Sequence, residues 1–221
     1  IGGLQAAREE VAHHVLMPLK FPKLYYDRED TTGIFQPSRG VLMHGPPGTG
    51  KTMIAKAIAK EANAVFLAVT LSSVENKWFG ESNKVMDAVF SLARKMAPAV
   101  IFFDEIDGIA KTRNEADQSH TTSVKAHLLM LMDGINSGAH PVTIVAATNR
   151  PDEIDPGVLR RLRKQIEIPM PDGRSRVDIL KRMLKRHASE VNVKKLAEMT
   201  SELSGSDLNE LCRAANTVRV Q

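Results

Sequence analysis

Gly45-Pro46-Pro47-Gly48-Thr49-Gly50-Lys51-Thr52 decides the fold of this 221-residue chain. The stretch satisfies every fixed position of the phosphate-loop pattern G-x-x-x-x-G-K-[ST]. Each part has a physical task. Gly45, Gly48 and Gly50 let the backbone wrap tightly, and Pro46, Pro47 and Thr49 complete a loop whose N–H groups form a nest for phosphate oxygens. Lys51 brings a positive charge to the β- and γ-phosphates of a nucleotide. The Thr52 hydroxyl is a hard oxygen ligand for Mg²⁺, an ion that usually keeps several waters. A helix following the loop points its positive dipole end at the same anion.

The flanking sequence supplies the required order of strand, loop and helix. Val41-Leu42-Met43 is a short apolar run after the turn signal Pro37-Ser38-Arg39-Gly40, so it reads as a buried strand. Met53 to Ala62 is Ala-rich and favours helix. Working outward, apolar runs at Val65–Val69, Val100–Phe103, Val142–Ala146 and Gln165–Ile168 alternate with helical patterns. The helices are expected over residues 5–20, with Val11, Val15 and Leu19 on one line and Pro18 near the end. Two more are expected at Ser82–Met96, with Val85, Val89 and Leu92 inward, and at Thr122–Met132. Residues 21–38 read as a loop. This alternation predicts an α/β fold with a five-stranded parallel sheet flanked by helices, over residues 1–171. After Pro169-Met170-Pro171-Asp172 only helical patterns remain. They are marked by Val177, Leu180 and Leu184, by Leu196 and Met199, and by Leu208, Leu211 and Ala215. Residues 172–221 are therefore expected to form a small all-α domain, with Ser206 or Asp207 capping its last helix.

Bulk properties set bounds. Hydrophobic residues make up 43% of the chain, enough for a real core, and the net charge of +4 does not demand nucleic acid or membrane. Cys212 is the one cysteine, cannot form an internal disulfide and reads as a small buried helix residue of a protein in a reducing compartment. No apolar run reaches the length of a membrane span. The chain starts at Ile1-Gly2-Gly3-Leu4 without Met and ends inside a helical pattern, as expected of a piece of a longer protein.

The second half of a nucleotide site follows from strand ends. Val100–Phe103 runs into Asp104-Glu105, an apolar strand followed by two acids (the Walker B pattern). In open α/β sheets ligands sit off the carboxyl ends of the strands. Asp104 is placed to bind Mg²⁺, directly or through water, and Glu105 to polarise the water attacking the γ-phosphate. The next strand ends in Ala147-Thr148-Asn149, where the Asn149 amide can hydrogen-bond that water and a γ-phosphate oxygen. Asp155-Pro156-Gly157-Val158-Leu159-Arg160-Arg161 follows, and on its own reads equally as a charged helix end.

Five ordered motifs now resemble one family from end to end. They are Ile1-Gly2-Gly3-Leu4, the Gly45–Thr52 loop, Phe103-Asp104-Glu105-Ile106-Asp107, Ala147-Thr148-Asn149-Arg150-Pro151 and Ser204-Gly205-Ser206-Asp207-Leu208. The chain resembles the AAA ATPases of the classical clade. The resemblance implies a P-loop NTPase domain, a helical lid, ATP and Mg²⁺ as ligands, and assembly of identical subunits into a ring, usually a hexamer. It aligns Arg160 and Arg161 with the arginine fingers that reach the γ-phosphate of a neighbouring subunit. It aligns Asn149 with the sensor-1 residue, Gly205 and Ser206 with the lid segment near the nucleotide, and Gly2 and Gly3 with the loop beside the adenine.

Lys77-Trp78-Phe79-Gly80-Glu81-Ser82 contains the only Trp of the chain, between a strand and a helix. Adjacent aromatics on a loop suggest contact with a partner. In the family this position is pore loop 1, so the resemblance implies that Lys77, Trp78 and Phe79 grip an extended polypeptide in a central channel. A flat aromatic face suits such sequence-tolerant gripping. A second pore-facing loop is expected near Asn114 to His120. The stretch from Lys77 through Ala93 looks most like the mitochondrial sorting branch, membrane-anchored extractases of mislocalised tail-anchored proteins. That branch implies an N-terminal anchor preceding this segment, in the mitochondrial outer membrane or peroxisome, with the ATPase facing the cytosol. Glu202-Leu203 and Gln165 depart from the family's usual residues. Microtubule-severing and membrane-scission relatives share the clade and stay open as the alternative. A nucleotide-dependent binding switch is an alternative of another class, against which Glu105 and the arginine pair count. The mild charge counts against a DNA-handling ATPase.

Overall fold

Five parallel strands carry the molecule: β1 (Gly40–His44), β2 (Val65–Val69), β3 (Ala99–Phe103), β4 (Val142–Thr148) and β5 (Lys164–Glu167), in the spatial order β2-β3-β4-β1-β5. The computed structural model describes residues 4–26, 37–70, 81–110, 119–136, 140–185 and 191–218. The three central strands are almost wholly buried, which is why they read as continuous apolar runs rather than alternations. The two outer strands are only partly buried. Register aligns His44 with Thr148, and Phe103 with Ala146, so the carboxyl ends of β1, β3 and β4 meet at one edge of the sheet.

Side chains alternate between two cores. Leu42, Ile101, Phe103, Ile144 and Ala146 face one, packed beneath α5 (Glu81–Lys95), α6 (Asp107–Ala110) and α7 (Ser119–Asn136). Val41, Met43, Val100, Phe102 and Val145 face the other. It is covered by α4 (Lys51–Glu61) and by the N-terminal helices α1 (Gln5–Val11) and α2 (Met17–Lys20). A π-helical turn at Ala12–Leu16 joins α1 to α2, so residues 5–20 form an interrupted helix rather than the uniform one expected. Val11, Val15 and Leu19 are each only 1% exposed. The wider turn keeps residues four apart on one buried line, where a regular α-helix would let them drift. A short helix, α3 (Pro22–Tyr25), stands within the expected loop.

The inward face of α5 differs from the sequence expectation. On α5 the buried residues are Ser82, Met86, Phe90 and Ala93, while Val85 and Leu92 are exposed and Val89 is half-buried. Both sets have helical spacing. The aromatic Phe90 buries more area than Val85 or Leu92 and takes the core, near Phe103.

Among the described residues three helices follow β5. α8 (Pro156–Leu159) precedes β5, and α9 (Gly173–Met183), α10 (Val193–Met199) and α11 (Gly205–Val218) follow it. The last three enclose a separate small core of Leu180, Val193, Ala197 and Leu208. Met199 and Leu211, two of the apolar positions that marked these helices, are exposed, because Val193, Ala197 and Leu208 already fill that core. The cap of α11 is Ser204, two residues before the earlier of the two expected caps. The Ser204 N–H donates to Asp207 Oδ2 at 2.8 Å and the Asp207 N–H donates to Ser204 Oγ at 3.3 Å, a reciprocal capping box.

Candidate functional site

The loop leaving β1 turns through three glycines of positive φ, at Gly45, Gly48 and Gly50, before α4 begins at Lys51. At Gly48 the requirement is twofold. Its φ is +73°, and a Cβ there would collide with Ser204 Oγ and press Ser206 Cβ at 3.2 Å. Lys51 is only 8% exposed, and its Nζ donates to the carbonyls of Gly45 and Pro46, each at 2.8 Å. Burial pushes the Lys51 ammonium down from its ordinary pKa, and the nearby Asp104 charge pulls it back up. Thr49 Oγ1 donates to the Pro46 carbonyl at 3.0 Å and braces the loop.

Asp104 and Glu105 leave the end of β3 on a tight turn. Thr52 Oγ1 donates to Asp104 Oδ2 at 2.8 Å, joining two residues far apart in sequence at the mouth of the loop. This pair tests the fit of a divalent cation. One hydroxyl and one carboxylate, both hard oxygens beside a phosphate nest, match the few protein ligands Mg²⁺ takes when phosphates and waters complete its shell. Glu105 is exposed and has φ +52°, a left-handed backbone that is unusual for a glutamate. The Ile106 N–H donates to the Ala147 carbonyl at 3.0 Å and pins this turn across the end of β4. Asn149 follows β4 directly and lines the same cleft as Asp104 and Glu105. Its base is tied down by Thr148, whose Oγ1 donates to Asp107 Oδ1 at 2.6 Å and accepts from the Arg150 N–H at 2.9 Å.

The cleft has a volume of about 620 Å³. Its phosphate end is built by Pro47 through Thr52, and its far end by Leu4, Met53, Pro171, Ile179, Met183 and Asn209. That far end is apolar with a single amide, suited to a flat heteroaromatic base. Gly205 and Ser206 close one side, and the Ser206 N–H donates to the Gly48 carbonyl at 3.2 Å. The helical segment thus touches the phosphate loop itself. Ile179, Met183 and Asn209 carried no local sequence signal, since each reads simply as a position on a helix. Gly45 and Pro46 lie behind the cleft and act through Lys51, not as lining. Gly2 and Gly3 lie outside the described residues, as do Lys77, Trp78 and Phe79 and most of the segment from Asn114 to His120.

Arg160 and Arg161 lie elsewhere, just after α8, and do not line this cleft. Arg160 is exposed. Arg161 makes a bidentate pair with Asp133 of α7, Nε to Oδ1 at 2.9 Å and Nη2 to Oδ2 at 2.7 Å, and Nη1 also donates to the Gly157 carbonyl. Each partner favours the other's charge. Asp133 is held below the usual carboxylate range and Arg161 is raised, in both cases chiefly by their hydrogen bonds.

Residues 41–170 match the model of the ATPase family associated with various cellular activities. The whole chain is 44% identical to 30% of a cell division cycle protein 48 homolog from Archaeoglobus fulgidus. Across 97% of its length it is 41% identical to 59% of an outer mitochondrial transmembrane helix translocase from Danio rerio. The chain therefore spans between about a third and three fifths of these two curated relatives. Among solved structures, the FIGL-1 AAA domain in complex with ADP superposes with a TM-score of 0.82 at 35% identity, over 96% of this chain and 70% of that one. Among the described residues no helix is long and apolar enough to cross a membrane.

Proposed function

Because the chain belongs to the AAA family of ATPases, we propose that it is the motor segment of a ring-forming, ATP-driven translocase that extracts mislocalised tail-anchored proteins by threading them through a central pore. The observation that carries this reading is the cleft, in which Lys51, Thr52, Asp104, Glu105 and Asn149 converge beneath a helical segment bonded to the phosphate loop. The Lys77-Trp78-Phe79 sequence and the similarity to the zebrafish translocase support the choice of substrate.

The chemistry follows from the residues. The glycine loop and Lys51 would hold the phosphates, and Thr52 and Asp104 would hold Mg²⁺. When bound, the ion supplies a charge that stabilises the oxygens of the transferring group. The Glu105 carboxylate accepts a proton from water as its oxygen attacks the γ-phosphorus, the bond to the β-phosphate oxygen breaks, and ADP and phosphate leave. Asn149 orients the water. Arg160 and Arg161 do not line their own cleft, which supports a role at the site of the adjoining subunit in a homo-oligomeric ring, where they offset transition-state charge. Ile179, Met183 and Asn209 bring the lid against the base, so the state of the nucleotide is passed to the lid.

The test is ATPase rate per subunit against protein concentration, with and without an unfolded polypeptide. A rate that rises with concentration, is stimulated by polypeptide and loses that stimulation in Trp78→Ala is the expected result. A flat rate, indifferent to polypeptide, would replace the motor with a self-contained hydrolase.

A further inference from the structure

Lys125 is a lysine in the wrong place for a solvated charge. It lies on the inward stripe of α7 beside Val124 and Leu128 and is only 7% exposed. Its Nζ is 2.9 Å from Asp155 Oδ2. Burying the ammonium is costly even beside a partly exposed carboxylate, and a residue of similar volume such as Met would fill the space without that cost. The charge therefore has a geometric use.

Asp155 shows what it is. Its Oδ1 accepts from the Gly157 N–H at 2.7 Å and its backbone carbonyl accepts from Val158 at 2.9 Å, so it caps α8, the single turn that leads into Arg160 and Arg161. Its own N–H donates to the Ala110 carbonyl at 2.7 Å, at the end of the helix that begins two residues after Glu105. A helix of one turn does not keep its direction unaided. Here it is held at both ends by the same long helix. Lys125 grips its start through Asp155, and Asp133, about two turns or 12 Å further along α7, grips its end through Arg161.

We infer that Lys125 is a positioning residue for the arginine pair, acting through Asp155 so that α7 fixes where Arg160 and Arg161 present their charge. This rests on the reading in which the pair serves the neighbouring subunit's site. Lys125 is not among the residues that line the chain's own cleft, so its loss should leave ATP binding there intact and reduce what the subunit contributes to its neighbour.

The double variant Lys125→Met/Asp155→Asn tests this. Asn keeps the cap, and Met fills the space without leaving a buried charge. The expected result is a melting temperature close to wild type, an unchanged KM for ATP, and a kcat lower by about 10–100-fold, as for a misplaced catalytic group. Mixing the variant with excess Glu105→Gln subunits, which carry intact arginines but do not turn over, should raise turnover at the variant's own sites. Wild-type kcat, or a fold that melts below the assay temperature, overturns the positioning role. So does failure of mixing to help when an Arg160→Ala/Arg161→Ala variant is helped under the same conditions. If that arginine variant alone keeps full activity, the trans reading itself falls, and the positioning role with it.

Discussion

Glu105 stands in the left-handed region of backbone space, which for a residue other than glycine costs on the order of 1–3 kcal/mol. The strain has a local cause, since the Ile106 N–H is committed to Ala147 and the chain must cross the end of β4 within one residue. It also has a use, because this turn sets the carboxylate beside Asn149 in the cleft. Two substitutions separate cause from use. Glu105→Gln should keep nucleotide binding and lower kcat by about 10²–10⁴-fold, the worth of a general base; steady-state kinetics and a nucleotide-binding titration check it. Glu105→Gly should be equally inactive yet melt no lower than wild type, because glycine takes this conformation without strain. A fall in its melting temperature would show that the carboxylate also holds the fold together. At this scale the sequence was legible wherever the cleft is built from a contiguous motif: Lys51, Thr52, Asp104, Glu105 and Asn149 all line it. It was silent where a residue matters through a partner far away in the chain, as Arg161 does through Asp133.

The helices show where periodicity runs out. On α5 two stripes with the same spacing compete, and Phe90 decides between them only because β3 presents Phe103 opposite. Phe90→Ala should cost about 3–5 kcal/mol, whereas Leu92→Ala should stay within about 0.5 kcal/mol, measured by denaturant unfolding. The reverse ranking would restore the face read from the sequence. On α11 the capping box makes stability depend on pH. The Ser204 hydroxyl and N–H hold Asp207 below the ordinary carboxylate range. A folded-state pKa that is depressed gives stability present above the unfolded value and lost as pH falls through the folded one. Asp207→Asn should therefore lower the melting temperature at pH 7 and make progressively less difference below about pH 4. An equal difference at both ends of that range would remove the carboxylate from the cap. The cap's place was hidden in the sequence because Ser204, Ser206 and Asp207 are all good capping residues, and only the reciprocal bond chooses among them.

At the scale of the whole molecule, strand order does most of the work. Placing β1 between β4 and β5 sets the phosphate loop next to the strand that leads into Asn149, with β3 and its two acids one position further on. The alternation of apolar runs and helices was enough to foresee a parallel sheet. The order of the strands, and the contact of the helical segment with Gly48, depend on packing that no local pattern records. If Arg160 serves a neighbour, Arg160→Ala should leave ATP binding by the isolated chain unchanged while removing the rise of turnover with protein concentration; equal turnover at every concentration for both proteins would count against it. The bond from the Ser206 N–H to the Gly48 carbonyl has one more consequence. It sits at the near end of α11, 14 residues and so about 21 Å long. A tilt of about 10° about that point, started by a shift of a few tenths of an ångström at the loop, would sweep the far end of a rod of this length through roughly 3.5 Å. The smallest change around a phosphate is thus geared up, by simple leverage, to the size of a side chain.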